Sequence, residues 1–211
     1  MSSIKLTADS GGGTFEIKAP SSGSNPRVLT IPDSASGTVL TTTNPKSGNV
    51  IQVVQDTFTG TGSFGINNGA IYIPNAPTGQ ITPSSSSNKI LVNIQMTYGI
   101  NNSGETIHQI LYRDINSTGT FSAVTDAIGA AAGNRRRITT AYRSSSDYGM
   151  YNVNIKFLDT PNTTNLVQYR VGVALLTTGY IENFINRAGV DTDAATYGRA
   201  YSSIILSEVA A

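Results

Sequence analysis

Lys89-Ile90-Leu91-Val92-Asn93-Ile94-Gln95-Met96-Thr97-Tyr98-Gly99 alternates with a period of two. That is the signature of a strand with one face in a core and the other toward water. Ile90, Val92, Ile94, Met96 and Tyr98 fall on one face; Asn93, Gln95 and Thr97 fall on the other. Tyr151, Val153, Ile155 and Phe157 repeat the pattern against Asn152, Asn154 and Lys156, and Val167, Tyr169, Val171, Val173 and Leu175 repeat it against Gln168, Arg170, Gly172 and Ala174. Weaker strand candidates run over 50–57, 107–115, 121–128, 137–143 and 201–209. Turn-rich clusters such as Asn67-Asn68-Gly69, Asn101-Asn102-Ser103-Gly104 and Ser117-Thr118-Gly119 separate them. The stretch Ala127 to Gly133 is short, glycine-flanked and aperiodic, so it reads as a loop. Eight or more short strands without a long helix predict an all-β antiparallel sandwich from Val50 onward.

The first 49 residues differ in kind. Ile4-Lys5-Leu6 leads to Gly13-Thr14-Phe15 and Pro20, and Leu29-Thr30-Ile31 leads to Gly37-Thr38-Val39 and Pro45, two short units that can be laid over each other. So few apolar residues do not offset the cost of ordering a backbone, roughly 1–2 kcal/mol per residue. Such a segment stays disordered or packs against copies of itself. The regular strand-like pairs favour the second, a thin intertwined β shaft over 1–49 followed by a head domain over 50–211. Adjacent apolar residues within strands (Ile110-Leu111, Leu175-Leu176, Ile204-Ile205-Leu206) also predict that both sheet faces are covered, one by a second sheet and the other by a neighbouring subunit.

Composition narrows the function. Charged residues make up 13% of the 211 residues, well below the usual level of about 25%. A net charge of +1 gives no general drive toward nucleic acid or anionic membrane. The absence of cysteine excludes disulfides and thiolate metal sites. The start Met1-Ser2-Ser3-Ile4 carries no charged and apolar leader, so no signal peptide is expected, and no apolar run approaches the ~20 residues of a membrane span.

Ala19-Pro20, then Leu29-Thr30-Ile31-Pro32 and Gly37-Thr38-Val39-Leu40-Thr41-Thr42, resemble the leader segments of tailed-bacteriophage fibre proteins, notably those of cyanophage-like phages of marine bacteria. At the other end, Tyr197-Gly198-Arg199 and Tyr201-Ser202-Ser203-Ile204-Ile205-Leu206-Ser207-Glu208-Val209 resemble the closing strand of trimeric jelly-roll heads, which share the architecture of tumour-necrosis-factor and complement C1q domains. The resemblance implies a homotrimer in the virion, made in the host cytoplasm. Its N-terminal segment would join another virion protein of tail, baseplate, collar or capsid. Its head would attach to host surface polysaccharide or outer-membrane protein without catalysis, cofactor or nucleic acid. Its short length also admits a decoration or structural fibre role on capsid or collar, without receptor binding.

Candidate sites are few. Arg135-Arg136-Arg137 with Arg143 suit bidentate recognition of phosphate or carboxylate, against a structural reading in which they pair with Asp126, Asp147 or a neighbouring chain. Tyr148, Tyr180 and Tyr197 lie in loop-like sequence and offer flat surfaces for sugar rings, whereas Tyr98, Tyr151 and Tyr169 belong to core or interface. His108 is the sole histidine and has no evident triad partner; it reads as a packed or solvent-facing side chain, the alternative being three copies that meet on a trimer axis and bind a metal. Asp191 and Asp193 form the one close acid pair, whose spacing suits a turn better than a glycosidase dyad or a calcium loop.

Overall fold

The computed structural model describes residues 3–7, 10–11, 14–18, 45–67, 71–146, 149–175 and 179–211. The chain divides into two units, Met1–Val39 and Leu40–Ala211. In the first, β1 (Ser3–Thr7) and β2 (Thr14–Lys18) pair antiparallel from Ser3↔Lys18 to Thr7↔Thr14, with Gly11 at a φ of 89° in the turn between them. The two strand-like anchors of the first N-terminal repeat therefore pair within one chain. The second repeat lies outside the described residues.

The second unit is an antiparallel sandwich, as the alternation predicts. One sheet holds β3 (Val50–Phe58), β4 (Gly62–Asn67), β7 (Lys89–Ile100), β11 (Met150–Asp159), β13 (Tyr180–Ile185) and β14 (Ser202–Val209). The other holds β5 (Ile71–Tyr72), β6 (Gly79–Ile81), β8 (Thr106–Ile115), β9 (Ser122–Ala123), β10 (Thr140–Arg143) and β12 (Val167–Leu175). Strand order carries the topology. The first long strand lies beside the last, giving β3-β14-β7-β11 in one sheet and β6-β12-β8-β10 in the other. That is the doubly crossed order of a jelly roll. The β4–β13 pair extends the first sheet beyond β7.

Alternation places the core. Ile90, Val92, Ile94 and Tyr98 of β7 are fully buried, as are Ile107 and Leu111 of β8, Val173 and Leu175 of β12, and Ile204 and Leu206 of β14. At one end an aromatic series, Tyr72, Phe64, Tyr98, Tyr142 and Tyr151, runs across the interior with successive ring centroids 4.6 to 6.4 Å apart. Tyr169 is also fully buried, and its hydroxyl donates to Asp159 at 2.6 Å. Arg113 reaches the same carboxylate, with Nη1 at 2.7 Å from each oxygen, so β8, β11 and β12 are tied together at the opposite end. Burial and the Asp159 charge push the Tyr169 hydroxyl far above its ordinary range, so it stays a donor.

Ile110 and Ala174 are buried, and Tyr112 and Ile71 occupy the space beside Gly172, where a Cβ would stand 2.5 Å from the Tyr112 ring. One sequence reading is revised. The candidate strands at 121–128 and 137–143 shrink to β9, a 3₁₀ turn over Thr125–Ala127, and β10. The intervening loop does strand-like bonding instead. Val124 donates to the Leu111 carbonyl at 2.9 Å, Thr139 donates to the Gln109 carbonyl at 2.8 Å, and Thr139 Oγ1 accepts from Leu111 N–H at 3.0 Å. The edge of β8 between its two partners is thereby closed.

Candidate functional site

The loop that seals β8 also carries the arginine run. Its shape is held by backbone bonds from Gly129 to Ile138 (3.0 Å) and from Arg135 to Ala132 (3.2 Å). Arg137 Nε donates to the Gly129 carbonyl at 2.6 Å and Arg135 Nη1 to the Ala132 carbonyl at 3.4 Å. Of the pairings weighed from sequence, Asp126 is not the partner of Arg135 or Arg137, which use carbonyls of their own loop. Asp147 lies outside the described residues.

His108 comes to the same place through register. It sits on β8 opposite Ala141 of β10, and the loop leading into β10 brings Asn134, Arg135 and Arg136 beside it. Among the described residues, these four line an open cleft of about 850 Å³. Burial and the Arg136 charge both lower the His108 pKa, so its neutral form is favoured at pH 7. Its Nδ1 is buried with no hydrogen-bond partner. Arg136 also faces Tyr112, where burial raises the phenol and the guanidinium partly offsets it.

The other sequence candidates are dispersed. Arg143 ends β10, with Nη2 3.9 Å from where a Cβ on Gly104 would stand, away from the cleft-lining set. Tyr180 is 67% exposed but begins β13 rather than a loop; its ring covers Gly65, where a Cβ would be 2.0 Å away. Tyr197 is half-buried in the 186–201 loop, with its backbone N–H on the Ala194 carbonyl. Tyr148 lies outside the described residues.

The acids are committed elsewhere. Asp191 is hydrogen-bonded by Arg199 and lies 3.7 Å from Arg187, so its carboxyl is held below the usual range, chiefly by the Arg199 bond. It forms an ion pair in a surface loop, and Asp193 is not drawn into it. Glu208 of β14 is fully buried. Its carboxylate accepts from Gln52 Nε2 (2.6 Å), Ser84 N (2.6 Å), Ser84 Oγ (2.7 Å) and Asn88 Nδ2 (2.6 Å). Burial alone would raise its pKa, but these bonds together outweigh burial and hold it below the ordinary value. Asp114 is held low in the same way: the Thr118 hydroxyl and the Gly119 and Thr118 N–H groups outweigh its burial. Among the described residues, no three His, Cys, Asp or Glu side chains gather as a metal site, and no helix is long and apolar enough to cross a membrane.

One surface was touched by the sequence reading only at Ile205. On the outside of the β3-β14-β7-β11 sheet, Val53, Ser207, Leu91 and Leu158 stand in register across four strands. Val53 is 59% exposed, Leu91 40% and Leu158 45%. Beside that row lie Gln55, Ile205, Asn93 and Lys156, which border a shallow hollow with Gln95, Asn154, Ser203 and Tyr201. The face carries no acid in these rows and is apolar at one end. The signal in the sequence was Leu91 and Leu158, apolar residues at positions where the alternation calls for polar ones.

No protein-family model matches the chain, and no curated protein sequence matches it. Among solved structures it is similar to chains of infectious bursal disease virus. A Gt strain structure aligns at a TM-score of 0.41 and 12% identity, over 88% of this chain and 42% of that one. A Gx strain structure aligns at 0.41 and 11%, over 94% and 43%. A VP2 subviral particle aligns at 0.34 and 11%, over 87% and 46%. The chain thus spans less than half the length of these neighbours, and overlaps this loose carry nothing about what it does.

Proposed function

We propose that the chain is a non-catalytic virion fibre protein: a jelly-roll head assembled as a homotrimer that attaches the particle to the host surface, with residues 1–49 joined to another virion protein. The observation that carries the reading is the outer face of the β3-β14-β7-β11 sheet, with a solvent-facing apolar row at Val53, Leu91 and Leu158. Such a row on an otherwise Asn-, Gln- and Ser-rich sheet is what a subunit contact requires. The jelly-roll strand order and the fibre-like leader and closing strand support the same reading.

The absence of catalysis is supported by how the acids are used. Asp191 is paired to arginine, Glu208 and Asp114 to internal donors, and Asp159 to Arg113 and Tyr169. None is left beside a second carboxylate or His108 in the geometry of a hydrolase.

Sedimentation equilibrium of the purified chain is expected to give three times 22.2 kDa. The Leu91→Glu, Leu158→Glu double variant is expected to sediment as a monomer, because it places like charges on adjacent strands and puts them into the contact. A wild-type monomer at micromolar concentration, or a trimer untouched by the double variant, would overturn the assembly. Labelled trimer is then expected to bind host cells, three weak sites acting together. A trimer that ignores cells is a decoration protein.

A further inference from the structure

We propose that the outer face of the β4–β13 strand pair, centred on the Tyr180 ring, binds a neutral hexose unit of a host surface glycan; this rests on the attachment reading above and names the site and the sugar chemistry it would use.

Register sets the site. Tyr180 stands opposite Asn67, Glu182 opposite Gly65 and Phe184 opposite Ser63. Ile181, Phe64 and Ile66 of the same two strands are buried in the core, so Tyr180, Glu182, Ser63 and Asn67 project from the other face. Gly65 leaves a gap in that face, and the Tyr180 ring reaches diagonally across the pair into the place a side chain at 65 would take. The ring therefore lies between Asn67 and Ser63 along β4 and beside Glu182 of its own strand. It is held down on the backbone, yet Tyr180 stays 67% exposed.

The groups around the ring select the ligand. A hexose has an apolar face of C–H groups and a rim of hydroxyls. The ring can cover the first. The Glu182 carboxylate can accept from two neighbouring hydroxyls, while the Asn67 carboxamide and the Ser63 hydroxyl can each donate and accept. Glu182 is fixed on both sides of its strand. It pairs with Gly65, its carbonyl accepts from Asn101 N–H at 3.2 Å, and its own N–H donates to Asn101 Oδ1 at 3.2 Å. The platform is in place before any ligand arrives, so little ordering entropy is lost on binding. It also stands clear of the proposed subunit contact. Leu91 of the apolar row and Ile100, which pairs with β13 at Asn183, are roughly 30 Å apart along β7 at about 3.3 Å per residue. Assembly through that row leaves the Tyr180 face open.

Saturation-transfer NMR on the full chain tests the site with the methyl glycosides of glucose, galactose and mannose. Glycerol is the control, and tetramethylammonium is a cationic rival for the ring and carboxylate. The expected result is saturable, millimolar binding of at least one hexoside, with transfer strongest to the C–H protons of one sugar face, and none with glycerol. Leucine still covers Gly65, so Tyr180→Leu is expected to keep the wild-type melting temperature and to weaken that binding about tenfold. Glu182→Gln is expected to weaken it about three- to fivefold, and it decides alone if Tyr180→Leu melts early. Absence of hexoside binding, tetramethylammonium bound in place of every hexoside, or unchanged affinity in either folded variant overturns the site. Cell binding separates the two proposals. Cells bound equally by wild type and Tyr180→Leu remove the site and keep attachment; hexoside binding without cell binding removes attachment and keeps the site.

Discussion

Replacing Glu208 by Gln tests how the closing strand is locked into the head. The buried carboxylate accepts four hydrogen bonds at 2.6 to 2.7 Å, from Gln52, Asn88 and both the N–H and the hydroxyl of Ser84. A glutamine of the same shape keeps one oxygen for the Ser84 and Asn88 donors, but those bonds lose their ionic character, which is worth about half of each. Its amide NH₂ then faces Gln52 Nε2, donor against donor, unless Gln52 turns and gives up the Thr82 carbonyl it holds at 2.8 Å. Summing three weakened bonds and one lost one gives about 2–4 kcal/mol at pH 7. The pH dependence has a definite sign. The folded pKa is depressed below the ordinary 4.5, so the wild-type advantage is fully present above that value and is lost as pH falls through the folded pKa. Urea unfolding of wild type and Glu208→Gln, at equal chain concentration because assembly adds to stability, gives the difference directly. A gap of about 2–4 kcal/mol at pH 7 that narrows steadily below pH 4.5 is expected. A gap under about 0.5 kcal/mol at pH 7, or one that widens in acid, would refute the reasoning.

Three further outcomes follow from packing and pairing. Arg113→Met leaves the Asp159 carboxylate, 3% exposed, without its cation and is expected to cost about 3–5 kcal/mol in urea unfolding; Asp159→Asn in the same chain should restore part of the loss. Gly79→Ala is expected to destabilise by about 1–3 kcal/mol in the same assay, because the new Cβ would stand 2.5 Å from Ile204 and 3.0 Å from Leu206 in the core. Asn186→Ala is expected to lower stability by about 2–4 kcal/mol: the side chain donates to the Phe58 and Gly60 carbonyls and accepts from Ser202, and the backbone sits at a φ of 61° that alanine resists. Amide exchange should quicken at the ends of β3 and β14 in that variant, and unchanged protection there would count against the account.

What the sequence made legible was whatever alternation controls. β7, β11 and β12 are nine or more residues long and repeat apolar residues at every second position for most of that length, so the period shows even though the last five residues of β7 and of β12 are all buried. β4, β6 and β13 were not legible. Gly65 and Gly79 sit inside strands because Tyr180, Ile204 and Leu206 occupy the space a side chain would need, a constraint set by residues far along the chain. In β13, Asn183, Phe184 and Ile185 are buried in succession, which erases any period. The candidate cleft divides the same way. The arginine run stands out in any reading of the sequence, whereas His108 joins it only through the β8–β10 register.

The place of β14 between β3 and β7 has a consequence for how the head is made. Until residues 202–209 leave the ribosome, the sheet has a slot where its middle strand belongs, and the facing edges of β3 and β7 have no partner. The nascent head must stay open through nearly all of its own translation, then close in one late insertion that pairs distant parts of the chain. Such closure is slow compared with hairpin formation. In that interval copies on one messenger risk lending each other the missing strand, so protection of newly made chains, rather than final stability, sets the yield of correctly built heads.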